Sequence, residues 1–297
     1  MSGAGERVLP GILLGVLAYS LFSMHDATNK YLVAFLPVWQ VLFFRSLTIV
    51  AACLAIGRGR LLAAAVATPL KLPLLGRGVL TLTAWLCYYT AARSLPLAQL
   101  LTLYFSAPII TTVLAIRLLG EHVTRARWIS LGIAFGGVLL ASDPFGVKLS
   151  LATLLVLAAA CLWGYAIVLM RQIARRESSL LQMLYQNVCF IAVTGVLTAV
   201  NWVAPTPAQM LLLAGVGVLG GLGQYMLFEA ARMAPAAVMA TVEYSALLWA
   251  FVLGWLVFGE IPLPAVWAGA GLICVAGLYM VVMERRTARG YASGAND

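Results

Sequence analysis

Charged residues are scarce in this chain: they make up 10% of its 297 residues, whereas 63% are hydrophobic and the mean hydropathy is +0.99. A water-soluble domain of ordinary composition carries about a quarter charged residues, because its surface has to be hydrated. The scarcity of charge therefore excludes a soluble globular protein. Lipid has to cover most of the surface, so the lipid bilayer is a predicted partner of the chain.

Signatures of metal and nucleotide binding are also missing. The chain has two histidines and five cysteines without a C-x-x-C spacing, which argues against a metal site. The glycine-rich segment 220–223 lacks the following Lys-Ser or Lys-Thr of a phosphate-binding loop. The excess of 19 Lys and Arg over 10 Asp and Glu lies mainly in short connections between apolar runs, which argues against nucleic acid. No cofactor is expected.

Long apolar runs dominate the sequence. A helix needs about 20 such residues to cross about 30 Å of hydrocarbon, and charges, glycines and prolines divide the chain into ten such runs. The first run reaches Thr28, which favours a retained helix over a cleaved signal peptide. The predicted helices cover residues 9–29, 37–56, 74–93, 97–119, 124–142, 150–171, 180–202, 208–232, 236–258 and 263–284.

The basic residues are distributed unevenly between the two sides of these helices. Of the 19 Lys and Arg residues, 15 fall on one side, Arg77 among them, and 3 on the other, with Arg45 inside the second helix. Because basic connections stay in the cytoplasm, we expect a multi-pass protein of the cell inner membrane with both termini cytoplasmic. The C-terminal residues 285–297 are then a short cytoplasmic tail.

The second half of the chain repeats the first. Residues 91–139 align without a gap with residues 230–278, an offset of 139, and 16 of the 49 positions are identical. Composition alone would give roughly four or five identities. Each copy contains an odd number of helices, so the two copies are inverted in the membrane. The sequence predicts an all-α integral membrane bundle of ten transmembrane helices in two inverted five-helix repeats, at 8–142 and 150–284.

A Gly-Glu block followed by Trp and Gly occurs in both halves, as Gly120-Glu121, Trp128 and Gly132, and as Gly259-Glu260, Trp267 and Gly271. This doubled block resembles the paired EamA repeat of the drug/metabolite transporter superfamily over about residues 8–284. Within that superfamily the chain looks most like the YddG-type amino-acid exporters. The resemblance implies secondary transport by alternating access, with export of amino acids including aromatic ones. Helix 1 departs from the pattern, since Leu21-Phe22 stands where helix 6 has Trp163-Gly164.

Aromatic and polar side chains cluster halfway along several helices, near the midplane where the two halves meet. Such groups can stack on an apolar side chain and hydrogen-bond the polar end of an amino acid. The alternative is that they only pack helices together or lie at the level of the lipid headgroups. The predicted substrate-binding residues are Trp85, Tyr88, Tyr104, Trp163, Gln224, Tyr225 and Glu243.

Among the ionisable residues within predicted spans, where a charge costs about 2.5 to 3.5 kcal/mol, three stand out: Asp26, Arg45 and Glu243. Asp26 and Arg45 fall in adjacent helices, and we expect an ion pair that holds these helices together. Glu243 stands opposite Tyr104 in the repeat alignment, so the carboxylate occurs in one half only. It could bind a substrate amine, carry a coupling proton or be held protonated by a neighbour.

The function expected from these features is secondary transport of a small molecule. Multidrug efflux of organic cations is the alternative, whereas a nucleotide sugar is disfavoured because Arg45 is the only cation expected at midspan. An intramembrane enzyme would need a Ser/His, paired Asp or metal constellation at depth, and the sequence offers none, so no catalytic residue is predicted.

The glycine pairs Gly132/Gly136 and Gly217/Gly221 favour close packing inside the bundle over a dimer face. A monomer or a weak homodimer is expected.

Overall fold

A computed structural model describes residues 4–92, 94, 103–142, 150–258 and 264–293 of the chain. Every regular element within these ranges is an α-helix. The helices are α1 (Ala4–Leu32), α2 (Val38–Ala67), α3 (Lys71–Ala92), α4 (Ala107–Leu119), α5 (Arg125–Ser142), α6 (Leu151–Ala174), α7 (Ser179–Val200), α8 (Pro207–Met233), α9 (Ala236–Glu243), α10 (Ser245–Phe258) and α11 (Pro264–Ser293).

These helices form a membrane bundle. Five of them, α1, α2, α6, α7 and α8, are long and apolar enough to cross a bilayer, and α4 and α11 contain shorter apolar stretches. Large apolar side chains such as Ile56, Leu151 and Leu211 are exposed on the outer surface, where lipid replaces water. With α9 and α10 counted as one interrupted span, the prediction of ten transmembrane helices in two five-helix repeats is confirmed.

The helix packing follows the internal symmetry of the two halves. Helix α1 of the first half packs on α8 of the second, and its counterpart in the second half, α6, packs on α3 of the first. Helix α2 packs on α7, and α5 packs on α11. Along α5 and α11, the Ser130 hydroxyl donates to the Ala276 carbonyl at 2.7 Å, and a Cβ on Gly137 would lie 2.7 Å from the Gly269 carbonyl oxygen. Under the repeat offset of 139, Ser130 corresponds to Gly269 and Ala276 corresponds to Gly137, so the two contacts are equivalent. The two halves are therefore related by a twofold axis.

Phe105 and Tyr244, which are 139 residues apart, lie on this axis. Their rings stack with centroids 5.5 Å apart, and the Tyr244 hydroxyl donates to the Phe105 carbonyl at 3.1 Å. Two residues related by the repeat can contact each other in this way only near the axis. Tyr244 also separates α9 from α10, so the ninth span, which the sequence predicts as continuous over 236–258, is interrupted close to the centre of the molecule.

The second helix also differs from its predicted bounds of 37–56. It continues to Ala67 across a break at Arg58, whose φ of 49° lies in the left-handed region. Glycines flank Arg58 on both sides, and such flexible neighbours allow the chain to change direction there. The predicted end at residue 56 therefore lies next to this break, and the rest of α2 is an additional segment.

The Gly-Glu block of the first half connects α4 to the second half. Gly120 ends α4 with a φ of 63°, a conformation that glycine adopts at helix C-termini. The following Glu121 carboxylate accepts hydrogen bonds from the backbone nitrogens of Ala236 at 3.1 Å and Ala237 at 3.3 Å. A carboxylate is favourable at this N-terminus of α9, because the free N–H groups there carry partial positive charge. Glu121 thus fixes the start of the interrupted span.

The two glycine pairs of the sequence have different surroundings. A Cβ on Gly217 of α8 would lie 2.4 Å from the Thr48 Cβ, and one on Gly221 would lie 3.2 Å from the Ile49 Cγ1. This pair therefore permits close packing of α8 on α2, as expected. Gly132 and Gly136 of α5 have open space around the position of a Cβ among the described residues, so close helix packing at this pair is not seen in that part of the chain.

Candidate functional site

A narrow cavity lies at the centre of the bundle, between helices of both halves. Helices α1, α2 and α3 contribute Phe22, Arg45, Arg77 and Trp85, and α6, α7 and α8 contribute the other lining residues, Trp163, Gln186, Gln224 and Phe228 among them. Its volume is about 30 Å³, which is room for one or two water molecules. Small-molecule sites usually measure about 300 to 1,000 Å³, so the structure is closed around this position.

Arg45 of α2 extends into this cavity. Its side chain is 2% exposed, and its Nε donates to the Nε2 of His25 at 3.0 Å. The guanidinium carbon lies 5.4 Å from the ring centroid of Trp85, within the range of a cation–π contact. Gly220 of α8 makes room for this arrangement, because a Cβ there would lie 2.7 Å from the Arg45 Nε. The Nη1 of Arg45 has no hydrogen-bond partner among the described residues.

Arg45 is connected to Asp26 through His25. The Nδ1 of His25 and the Oδ1 of Asp26 are 2.9 Å apart, and the Asp26 side chain is 69% exposed. The expected ion pair between Asp26 and Arg45 is therefore replaced by a chain of three polar groups. This chain positions Arg45 but leaves part of its guanidinium available to the cavity.

Arg77 of α3 is a second buried arginine in the same cavity. It is 3% exposed, its Nη2 donates to the Oε1 of Gln186, and its guanidinium carbon lies 4.5 Å from the ring centroid of Phe228. The sequence interpretation placed Arg77 in a basic connection, which is wrong. Helix α3 begins at Lys71, and the spacing of 77, 81 and 85 places Arg77 on the same face as Trp85. Among the described residues, the Arg77 Nε has no hydrogen-bond partner.

Gln224 of α8 provides a third donor. The side chain is 2% exposed, and its Oε1 accepts from the Nδ2 of Asn187 at 3.1 Å. Its Nε2 finds no acceptor within the described parts of the chain. The same cavity therefore has three N–H groups without partners, on Arg45, Arg77 and Gln224, and an unsatisfied buried donor costs about 1 to 3 kcal/mol.

Trp163 of α6 joins the cavity to Glu243. The indole lines the cavity, and its Nε1 donates to the Oε1 of Glu243 at 2.8 Å. Glu243 is 4% exposed and ends α9, directly before the interruption at Tyr244. The carboxyl group therefore lies behind the indole, next to the interruption of the ninth span.

Tyr88 and Tyr104 belong to an aromatic row beside the cavity. From Trp85 the row passes through Tyr89 and Tyr88 to Tyr104, whose ring centroid is 5.0 Å from that of Tyr88. Tyr104 in turn contacts Phe105 on the twofold axis, with centroids 6.0 Å apart. These rings connect the cavity wall to the axis, so both predicted tyrosines adjoin the candidate site.

Tyr225 is not brought to the other predicted residues. It is 41% exposed and follows the outward-facing stripe of Val218 and Leu222 on α8. Its neighbour Gln224 is buried and lines the cavity. Sequence reasoning also missed Arg77 and Gln186, although the helical spacing of Arg77 relative to Trp85 is a signal that could have identified the arginine.

Comparison with known proteins adds a family relationship. The model of the EamA-like transporter family matches residues 9–143 and again residues 150–283. The "Riboflavin transporter" of Vibrio cholerae is 26% identical over 212 residues, which are 71% of this chain and 70% of that protein. The "Pseudopaline exporter CntI" of Pseudomonas aeruginosa is 29% identical over 274 residues, with 90% and 94% covered.

A further relative and a solved structure cover nearly the whole chain. The "S-adenosylmethionine uptake transporter" of Rickettsia bellii is 25% identical over 294 residues, which are 96% of this chain and 98% of that protein. One crystal structure superposes with a TM-score of 0.77 at 16% identity, and the match covers 95% of this chain and 98% of the other. At this identity, the superposition supports the fold alone.

Proposed function

Because the chain belongs to the EamA-like transporter family, we propose that it is a secondary carrier that exports amino acids, aromatic ones among them, by alternating access. Its relatives include transporters of small metabolites, and the chain is a transporter, not an enzyme. We further place both termini in the cytoplasm, because the basic residues concentrate in the connections of that side.

The observation that carries this proposal is the central cavity between the two halves. It combines the indoles of Trp85 and Trp163 with polar groups on Arg45, Arg77 and Gln224. An amino acid has the same mixed character, since its polar backbone needs hydrogen bonds and an aromatic side chain needs a flat apolar surface. The small volume of the cavity indicates that the carrier must open toward one side before the substrate can enter.

Export is the proposed direction because the exporter from Pseudomonas aeruginosa has the highest identity of the three relatives described above. In this direction the substrate enters from the cytoplasm and leaves on the other side. The inverted halves provide the physical basis for such a cycle, because each half can adopt the conformation of the other.

Reconstitution into proteoliposomes tests the proposal. Purified full-length protein is expected to give saturable exchange of labelled phenylalanine or tryptophan, whereas an organic cation of similar size is not exchanged. Replacing Trp163 with alanine should reduce the exchange rate at least about tenfold, because the indole closes one wall of the cavity. Tyr225→Ala is the matched control, since Tyr225 faces outward. A lack of exchange for every amino acid tested would overturn the proposal, and exchange of the organic cation alone would favour multidrug efflux.

A second expectation concerns Glu243 as the group that carries a coupling proton. If it does, transport should respond to an imposed pH gradient, and Glu243→Gln should abolish that response. The glutamine oxygen can still accept the hydrogen bond of the Trp163 Nε1, so the substitution removes the titratable group and keeps the contact. Glu229→Gln is the control, because Glu229 pairs with Arg232 at the end of α8. Gradient-insensitive transport by the unmodified protein would rule out proton coupling.

A further inference from the structure

The charge inside the cavity is not balanced by the residues that line it. Arg45 and Arg77 each present a guanidinium, and no carboxylate belongs to the lining within the described parts of the chain. Asp26 reaches Arg45 only through His25, and Glu243 lies behind the indole of Trp163. A buried cation is stable in a membrane protein when it is paired or faces a polar cavity. The missing negative charge points to a ligand.

We propose that Arg45, Arg77 and Gln224 form a binding site for an anionic group of the transported molecule, a carboxylate or a phosphate. The inference deepens the proposed function and rests on it in treating the cavity as the substrate site. The unpartnered Nη1 of Arg45, Nε of Arg77 and Nε2 of Gln224 are all donors. Oxygen atoms of an anion are their natural acceptors, and hydrogen bonds between charged partners are about twice as strong as neutral ones.

The surroundings of both arginines support this role. Trp85 lies against the guanidinium of Arg45, and Phe228 lies against that of Arg77, so an aromatic ring holds each planar group in place. Gln186 and His25 each fix one further nitrogen. This preorganisation lowers the entropy lost on binding. It also discriminates against organic cations, which two guanidiniums repel.

The three donors come from both halves of the protein. Arg45 and Arg77 belong to α2 and α3 of the first half, whereas Gln224 belongs to α8 of the second. An anion bound to all three therefore connects the halves at the centre of the membrane. Substrate binding would then favour the closed state that the structure has, and an empty carrier would open more readily.

Four ligands that share a phenyl ring but differ in charge test the inference. They are 3-phenylpropanoate, phenylalanine, phenyl phosphate and 2-phenylethylamine, and thermal stability of the detergent-solubilised full-length protein is the measurement. A ligand that binds the folded state raises the melting temperature. The anions 3-phenylpropanoate and phenyl phosphate, or the zwitterion phenylalanine, should raise the melting temperature, and 2-phenylethylamine should not. The response to phenyl phosphate relative to 3-phenylpropanoate tells whether phosphate or carboxylate is the preferred group.

Arginine variants identify the residues responsible. Arg45→Lys and Arg77→Lys retain the charge but lose the planar fork, and each should weaken binding of the preferred ligand at least about tenfold. Arg60→Lys, at an exposed position of α2, should bind as the unmodified protein does. Equal or tighter binding of the amine overturns the inference, and so does unchanged binding by both lysine variants. Neither result contradicts the proposed transport function. Absence of binding and transport for all four ligands overturns the proposed function as well. Should the variants not fold, the comparison of ligands on the unmodified protein decides.

Discussion

Replacing Gln224 with glutamate is expected to abolish transport while raising the melting temperature of the purified protein. One oxygen of the new carboxylate can keep the hydrogen bond from the Asn187 Nδ2. The other stands in place of the unpartnered Nε2 and faces the cavity that contains both arginines. The variant would then carry its own anion in the proposed substrate site. A substitution that merely disturbed packing would lower both stability and transport.

The expected size of this effect follows from the strength of a charge-assisted hydrogen bond. Such a bond contributes about 1.5 to 3 kcal/mol, and a chain of this size gains roughly 2 to 4 °C in melting temperature for each kcal/mol. Gln209→Glu is the matched control, because Gln209 lies in the exposed capping box of α8, where glutamate serves equally well. Normal transport by Gln224→Glu, or a lower melting temperature, would contradict the arrangement proposed for the cavity.

Replacing Gly217 with alanine is expected to destabilise the protein by a large fraction of its free energy of unfolding. The added Cβ would lie 2.4 Å from the Cβ of Thr48, and neither carbon can move without its helix. Helices α8 and α2 would have to separate, and both contribute to the cavity. Overpacking of this kind typically costs about 1 to 3 kcal/mol and occasionally more. The measurement is the yield of monodisperse protein together with its melting temperature.

The same substitution at Gly132 serves as the control. A Cβ there meets open space among the described residues, so Gly132→Ala should leave yield and melting temperature unchanged. A double variant, Gly217→Ala with Thr48→Gly, removes the opposing carbon and should recover part of the lost stability. Equal effects of alanine at Gly217 and Gly132 would show that α8 does not pack on α2 as closely as described.

The fold could be predicted from the sequence because its signals are strong in a membrane protein. Spans of about 20 apolar residues are required by bilayer thickness, and the offset of 139 residues anticipated the inverted repeat. That offset even identifies Phe105 and Tyr244 as a related pair, although nothing in the sequence places them in contact. The interruption at Tyr244 could not be foreseen, since residues 241–247 around the junction contain no proline or glycine.

The site was only partly predictable for a related reason. In a helix that is apolar on all sides, hydrophobicity does not separate the lipid-facing side from the core, so Tyr225 and Gln224 could not be assigned to opposite faces. Arg77 was misplaced because it follows Lys71 near a predicted helix end, where basic residues are usually cytoplasmic. Trp85, Trp163 and Gln224 do line the cavity, and their role in binding stays a prediction.

The contact between Phe105 and Tyr244 has an energetic consequence for the transport cycle. In the proposed alternating-access cycle the two halves exchange conformations. A pair on the twofold axis would then be converted into itself, so the stacked rings could act as a pivot. The hydrogen bond from the Tyr244 hydroxyl cannot be exchanged, because Phe105 has no hydroxyl to donate to the Tyr244 carbonyl. One hydrogen bond contributes about 1 kcal/mol, roughly a fivefold difference in population. The resting carrier should therefore favour one orientation even though its scaffold is symmetric.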